Sequence, residues 1–177
     1  LKWLKSIEEQ EKGLLNLAVE YYLKDDFLQA SEYFTRYLDT NSFPDSRKDI
    51  YGYYYGDSLF HLKKYEEAIE VLDDISFKKE NESKLYFSRH LLLGACYRFS
   101  NEILKSELAF QHVIDNSKKD YQYLNALNNL GALYMNRFAE SKSGEAIKIF
   151  RSIVDEEVEL IEDLEPRHLQ NYKSIAA

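Results

Sequence analysis

Residue types that are typical of several other fold classes are scarce in this chain of 177 residues. Two prolines and six glycines are too few for the many tight turns of an all-β sandwich. The single cysteine, Cys96, excludes an internal disulfide and a cysteine-based zinc site. The apolar runs are far shorter than the ~20 residues that a membrane-spanning helix needs. What remains is long stretches rich in Leu, Ala, Glu, Lys and Tyr, and this composition favours helices.

Clusters of basic residues are missing as well. The formal net charge is −8, and seven acidic residues lie between Asp155 and Glu165, so the rest of the chain is nearly neutral. Without a basic stripe, binding to nucleic-acid phosphates is not expected. The sequence begins without Met in a segment of helical pattern. We therefore expect it to be a piece of a longer chain, in which a signal peptide or lipid anchor would lie outside the sequence shown.

A repeat of nearly constant length runs along most of the chain. A small residue followed three positions later by a bulky one recurs, with separations of 38, 38 and 37 residues, at Ala18/Tyr21, Gly56/Leu59, Gly94/Tyr97 and Gly131/Tyr134. A second small residue, followed four positions later by a bulky one, accompanies each of these at Ala30/Phe34, Ala68/Leu72, Ser106/Phe110 and Ala146/Phe150. In the fourth unit the segment Ser141–Gly144 accounts for three extra residues before this second pair. A fixed period of this length predicts a solenoid of stacked helix hairpins.

The small residues have a physical role in such a fold. Two antiparallel helices approach within ~8–10 Å only where the side chains at their crossing are small. We expect Gly56 on the first helix of its hairpin to meet Ala68 on the second. Gly52 and Gly56 also form a GxxxG pattern, but the charge of Asp57 and of the neighbouring lysines excludes a membrane dimer motif.

At these positions the sequence resembles a tetratricopeptide repeat protein, over about Lys12 to Asp155. It departs from that family in its longer period and in having Leu14, Gly52, His90 and Leu127 where the family has a tryptophan. The resemblance implies an all-α fold, a right-handed α-solenoid of four helix hairpins with N- and C-terminal capping helices. The expected segments are a capping helix at 1–11, repeats at 12–48, 49–86, 87–123 and 124–155, and an acidic cap with the start of a further helix at 156–177.

The resemblance also implies where a partner would bind, because in this family the first helix of each hairpin lines a concave groove. The groove positions, carried over residue by residue, are Tyr22, Tyr53, Phe60, His61, Arg98, Phe99, Asn125, Asn128, Met135 and Asn136. Aromatic anchors mixed with amides suit the capture of a peptide or helix from another protein. One subset of the family grips a C-terminal carboxylate with Lys and Asn. The matching positions here hold no cation, and they are Leu15, Val19, Tyr54, Ser88 and Leu92.

Two features of these segments have more than one interpretation. Asn125, Asn128 and Asn136 share one side of a helix with Asn129 beside them, and they serve either as clamps on an extended peptide or as surface and capping groups. Trp3, the sole tryptophan, either covers the first repeat or is a possible anchor of an interface.

Sequence signals for catalysis or cofactor binding are missing. The four histidines are dispersed, with no metal-binding spacing, and are expected to be isolated surface or packed residues. No glycine-rich phosphate loop, nucleophile elbow or Cys/His constellation is found, and Cys96 is expected to be packed and inert. The sequence therefore predicts a protein that is not an enzyme and that has no cofactor and no metal.

The predicted function is that of a non-enzymatic scaffold or adaptor that binds a peptide or helical segment of another protein. Within the family, the stretch from Tyr37 to Leu72 resembles bacterial envelope members, including an outer-membrane-assembly lipoprotein and a periplasmic coordinator of envelope constriction. Pro44, Asp45 and Ser46 carry this likeness, which favours the extracytoplasmic side of a bacterial envelope. The alternatives are a peptide-sensing domain of a cytoplasmic regulator and an accessory domain of an enzyme.

Overall fold

The computed structural model describes residues 2–40, 48–77, 83–118, 120–137 and 139–154, and within these ranges the side chains of 9–39, 48–77, 85–118, 120–136 and 141–153. These residues form eight α-helices and no strand, which confirms the expected all-α fold. The helices are α1 (Lys2–Leu23), α2 (Phe27–Thr40), α3 (Lys48–His61), α4 (Tyr65–Asp73), α5 (Ser83–Phe99), α6 (Ile103–Asn116), α7 (Tyr121–Arg137) and α8 (Ala139–Val154).

The chain divides into two compact units, Leu1–Leu85 and Tyr86–Ala177. In the first unit α1 packs against α2 and α3 packs against α4, and α2 also contacts α3. In the second unit α7 packs against both α6 and α8. Each unit is therefore built from helices that neighbour one another along the chain, as expected of a solenoid.

The hairpins depend on a glycine that faces a bulky residue of the paired helix. A Cβ built on Gly56 would lie 2.7 Å from Leu72 Cγ, and one built on Gly94 would lie 2.5 Å from Phe110 Cε1. A Cβ on Gly131 would lie 2.7 Å from Phe150 Cζ. The three glycines thus occupy equivalent positions, and the bulky side chain fills the space that a Cβ would take.

The crossing in the second hairpin involves more than the two small residues named from the sequence. The side chain nearest to a Cβ built on Gly56 is that of Leu72. Ala68, the residue that Gly56 was expected to meet, is fully buried on α4 one helical turn before Leu72. In the next hairpin, Ser106 takes the place of Ala68, and its buried Oγ donates a hydrogen bond of 2.7 Å to the carbonyl oxygen of Gly94.

The turns between paired helices repeat as faithfully as the crossings. Among the described residues, three that are not glycine have left-handed backbones, with φ of 58° at Asp25, 62° at Lys63 and 63° at Asn101. The amide of the residue after each of them bonds a carbonyl oxygen five positions back, in the pairs Asp26–Tyr21, Lys64–Leu59 and Glu102–Tyr97. This is the Schellman arrangement that ends a helix and satisfies its last carbonyls.

The buried cores follow from the same spacing. One core cluster in the first unit consists of Leu14, Leu15, Ala18, Ala30, Phe34 and Tyr37. One core cluster in the second unit consists of Phe110, Leu124, Leu127, Leu130, Leu133, Tyr134, Ala146, Phe150 and Ile153. Phe34 and Phe110 are fully buried, one in each unit, which is consistent with their matching positions in the repeat.

The ends and the fourth repeat add detail to the expected segments. The first helix is continuous from Lys2 to Leu23, so it contains most of the capping helix segment expected at 1–11 together with the first helix of the first repeat. The residues Ser141–Gly144 lie inside α8 and lengthen it. The acidic C-terminal cap expected at 156–177 and the Pro44–Ser46 element lie outside the described residues.

We expect Gly94→Ala to lower the free energy of unfolding by about 1–3 kcal/mol, because its Cβ would overlap the buried ring of Phe110. Gly144→Ala is the matched control, since nothing lies within 4 Å of a Cβ at that position. There, the higher helix propensity of alanine should raise stability by up to about 1 kcal/mol. Urea unfolding followed by circular dichroism measures both changes. Equal urea midpoints for the two variants would contradict the close packing of Gly94 against Phe110.

We expect Lys63→Gly to raise stability by up to about 1 kcal/mol, because a Cβ is unfavourable at the left-handed backbone of this turn. Asn101→Gly should raise stability by less than Lys63→Gly does, because asparagine tolerates a left-handed backbone better than lysine. The neighbouring substitution Lys64→Gly, at φ −91°, should lower stability. Thermal unfolding of the three variants tests this order, and a gain at Lys64 as large as that at Lys63 would refute it.

Candidate functional site

An open cleft with a volume of about 580 Å³ lies in the first unit. It lies beside the turn between α1 and α2 and the C-terminal half of α3. Its volume is within the range of typical ligand pockets. The lining residues are Tyr22, Leu23, Asp25, Phe27, Asp57 and His61.

Aromatic side chains form much of the cleft wall. The ring of Phe27 stacks on the imidazole of His61, with centroids 4.1 Å apart and planes inclined by 7°. Tyr22 meets Phe27 edge-on at 5.9 Å and contacts Tyr54 of α3 at 5.0 Å. The turn places Phe27 at the first position of α2, so its ring bridges the first hairpin and α3. These contacts hold three rings in fixed orientations around the opening.

A hydrogen bond from Tyr22 to Asp57 fixes the polar part of the site. The phenol Oη of Tyr22 donates to Oδ2 of Asp57 at 2.7 Å, across 35 positions of sequence. Burial, the hydrogen bond to Asp57 and the charge of that carboxylate all raise the pKa of Tyr22, so its phenol stays protonated at neutral pH. His61, one helical turn after Asp57, places its Nε2 atom 3.8 Å from the same carboxylate oxygen.

Sequence reasoning identified part of this site and missed the rest. The groove positions Tyr22 and His61 both line the cleft. Phe27 and Asp25 were missed, because the resemblance supplied groove positions on the first helix of each hairpin only. The repeat contains a signal for Phe27, since Tyr65 occupies the same register 38 residues later.

Two other groove positions of the first unit lie next to the cleft. Phe60 contacts the ring of His61 at 5.7 Å and that of Tyr65 at the same distance. Tyr53 is half-buried, and its ring meets that of Tyr54 edge-on at 5.6 Å. The side chain of Trp3 lies outside the described residues.

The remaining groove positions are in the second unit. The guanidinium of Arg98 lies over the ring of Phe99 at 4.8 Å, and Phe99 is itself about half exposed. The side-chain amide of Asn129 donates to the side-chain oxygen of Asn125 at 2.6 Å, so these two amides bond along one helix. Three more groove positions lie on α7. Asn128 is half-buried, whereas Met135 and Asn136 are exposed.

Two histidines of the second unit, which were expected to be isolated surface or packed residues, are packed against each other. The rings of His90 and His112 are stacked with centroids 4.4 Å apart. Nε2 of His112 lies 3.0 Å from Oη of Tyr86, and Nδ1 of His90 lies 2.9 Å from the carbonyl oxygen of Tyr86. Because the two imidazole rings are stacked, the nitrogen atoms of each ring point outward in the plane of that ring and not toward the other ring. Across the described residues, no group of three or more His, Cys, Asp or Glu could hold a metal ion.

An ion pair in the second unit connects α6 to α8. Lys142 Nζ lies 2.8 Å from Glu107 Oε1, and the Tyr134 phenol donates to the same oxygen at 2.6 Å. Although burial opposes it, bonding to Lys142 and Tyr134 lowers the pKa of Glu107, and the bond to Glu107 raises the pKa of Lys142. The two groups therefore remain a charged pair at neutral pH.

The helices and their pairing define an all-α solenoid fold built from repeated helix hairpins. None of the helices in the described ranges is both long enough and apolar enough to cross a membrane. No family model matches the sequence, and no curated protein matches it. Among solved structures, the fold is similar to that of "MamA RS-1 ArsTM double mutant", a tetratricopeptide protein, with a TM-score of 0.67 and 19% identity, over 87% of this chain and 79% of that chain.

We expect the stability of Tyr22→Phe to depend less on alkaline pH than that of the wild type. The folded state raises the pKa of the Tyr22 phenol above its unfolded value of about 10, so its contribution is present below that pH and is lost as pH rises. The measurement is urea unfolding of both proteins at pH about 9 and about 11. The other tyrosines contribute equally to both proteins. If the wild type and Tyr22→Phe lost the same stability between the two pH values, the pKa of Tyr22 would not differ between the folded and unfolded states.

Proposed function

We propose that the chain is a non-enzymatic scaffold that binds a segment of a partner protein, and that the cleft of the first unit is a main contact point. The observation that carries this proposal is the open cleft, in which aromatic rings and carboxylates lie together beside α3. Aromatic side chains bury a large area at little cost in conformational entropy, and polar groups beside them orient a bound chain. Hairpin solenoids display such surfaces on a rigid framework.

The contacts of the cleft support binding without large rearrangement. Tyr22 is bonded to Asp57, and Phe27 is stacked on His61, so these lining side chains are already ordered before a partner arrives. Preorganised side chains lower the entropy lost on association. His61 remains exposed despite its ring contact, so a partner can reach it.

The second unit carries further groups of the kind that partner proteins contact. Phe99 and Met135 are exposed apolar side chains, and Asn128 and Asn136 add amides on α7. We propose that this unit binds a partner segment through these groups. The paired amides of Asn125 and Asn129 support an ordering role within α7 for those two residues.

We further propose that the scaffold works in the assembly or stability of a bacterial envelope. The support is the sequence resemblance between Tyr37 and Leu72, which includes the matching element Pro44, Asp45 and Ser46. Fractionation of cells expressing the full-length gene, with a tag at its C-terminus, tests this setting. Recovery of the protein from the cytosol alone would contradict it.

We expect His61→Ala to weaken binding of a partner segment by about tenfold or more, because truncation removes a cleft wall and the stacking partner of Phe27. Partners are first identified by photo-crosslinking in cells from a benzoylphenylalanine at Tyr53, next to the cleft. The crosslinked segment is then titrated against purified variants by isothermal calorimetry.

Leu104→Ala is the matched control for this titration. Leu104 is an exposed apolar residue on α6, outside the cleft, so its truncation should leave the affinity unchanged. Circular dichroism establishes that both variants are folded. Equal affinities of the wild type and His61→Ala would remove the cleft from the proposed function.

A further inference from the structure

The charge of the cleft indicates the chemistry of its ligand. Asp25 and Asp57 both line it, and none of the six lining residues is a lysine or an arginine. Three lysines are close in sequence: Lys63 is exposed on the turn after His61, and each of the other two has an acidic partner. Lys24 pairs with Glu20 at 2.6 Å, and Lys64 pairs with Glu67 at 3.2 Å. The lining is therefore electronegative, and an acidic ligand group would be repelled.

The two carboxylates retain the capacity to accept further hydrogen bonds. Asp57 uses Oδ2 to accept the bond from Tyr22, and that bond fixes the orientation of the carboxylate. Among the described residues, no hydrogen bond to the other oxygen, Oδ1, is found. Asp25 is exposed on its left-handed turn, and no described residue bonds its side chain. Because the Asp57 side chain is only 17% exposed, an ion pair formed there would be less screened than one at the open surface.

The aromatic lining adds a second attraction for the same kind of ligand. Tyr22, Phe27 and His61 line the cleft together with Asp57, and their rings contact one another. Aromatic faces attract cations, and a planar guanidinium stacks on them as well as pairing with a carboxylate through two hydrogen bonds. Arginine fits this combination better than lysine, whose ammonium is compact and more strongly hydrated.

We propose that the cleft binds an arginine side chain of the partner segment, with its guanidinium between the carboxylates of Asp57 and Asp25 and against the rings of Tyr22 and Phe27. This assignment rests on the proposed scaffold function and specifies the partner's chemistry.

The test uses nitrogen-15 NMR of the whole chain, titrated with a capped pentapeptide, Gly-Ala-Arg-Ala-Gly. Peptides with Gln, Glu or Lys in place of Arg are the matched probes. We expect the arginine peptide to shift the amide resonances of Leu23–Phe27 and Asp57–His61, and these shifts should reach a plateau as the peptide concentration rises. The Gln and Glu peptides should leave them unchanged, and the Lys peptide should bind more weakly than the Arg peptide. Raising the salt concentration should weaken binding.

Two variants isolate the carboxylates without disturbing the fold. Asp57→Asn keeps an oxygen that accepts the Tyr22 hydrogen bond, and Asp25→Asn keeps a residue that tolerates a left-handed backbone. Each variant should bind the arginine peptide more weakly than the wild type does. For Asp57→Asn we expect the affinity to fall by about tenfold or more, because the contact that it removes is charge-assisted. Glu70→Gln, which removes one negative charge from the exposed face of α4, is the control and should have no effect.

The outcomes separate this inference from the scaffold proposal. Equal shifts with the Arg, Gln and Glu peptides would overturn the arginine assignment and leave a binding cleft in place. No shift with any peptide, or a crosslinked partner segment without arginine that binds through His61, would also overturn it. Binding of the arginine peptide that depends on Asp57, together with partner binding that does not depend on His61, would support the arginine site and contradict the scaffold role of the cleft.

Discussion

The close approach of paired helices is the constraint on which the rest of this structure depends. At each of three crossings a glycine leaves space that a buried Leu or Phe of the next helix fills. The two residues are specified together, because a Cβ on the glycine would overlap the bulky side chain, and a smaller side chain would leave a cavity. The repeat in the sequence therefore reflects a packing requirement that recurs in each of these three hairpins.

The candidate site is a consequence of the same geometry. Closing the first hairpin requires the left-handed turn at Asp25, which brings Phe27 to the start of α2. Stacking of the next hairpin then brings α3 beside the first, so that Asp57 and His61 meet Tyr22 and Phe27. The turn supplies one side of the cleft, and the following repeat supplies the other.

The fold could be predicted from the sequence, and the site only in part. The period of small and bulky residues predicts helix hairpins because it reflects packing that each repeat must satisfy in the same way. Tyr22 and His61 were found through a family register. Phe27 and Asp25 were not, because the register describes the first helix and not the turn after it. Stacking of His90 on His112 was not predicted, because the repeat specifies the small and bulky residues of the crossings and not which polar rings of paired helices meet.

The sequence by itself determined the helical class, the period and the small residues at the crossings, since these are local patterns repeated along the chain. Only the tertiary structure decided which polar and aromatic groups meet. The hydrogen bond from Tyr22 to Asp57 joins residues 35 positions apart. Whether such groups touch depends on side-chain rotamers and on the stacking of one hairpin against the next, and neither is encoded in a spacing of residue types.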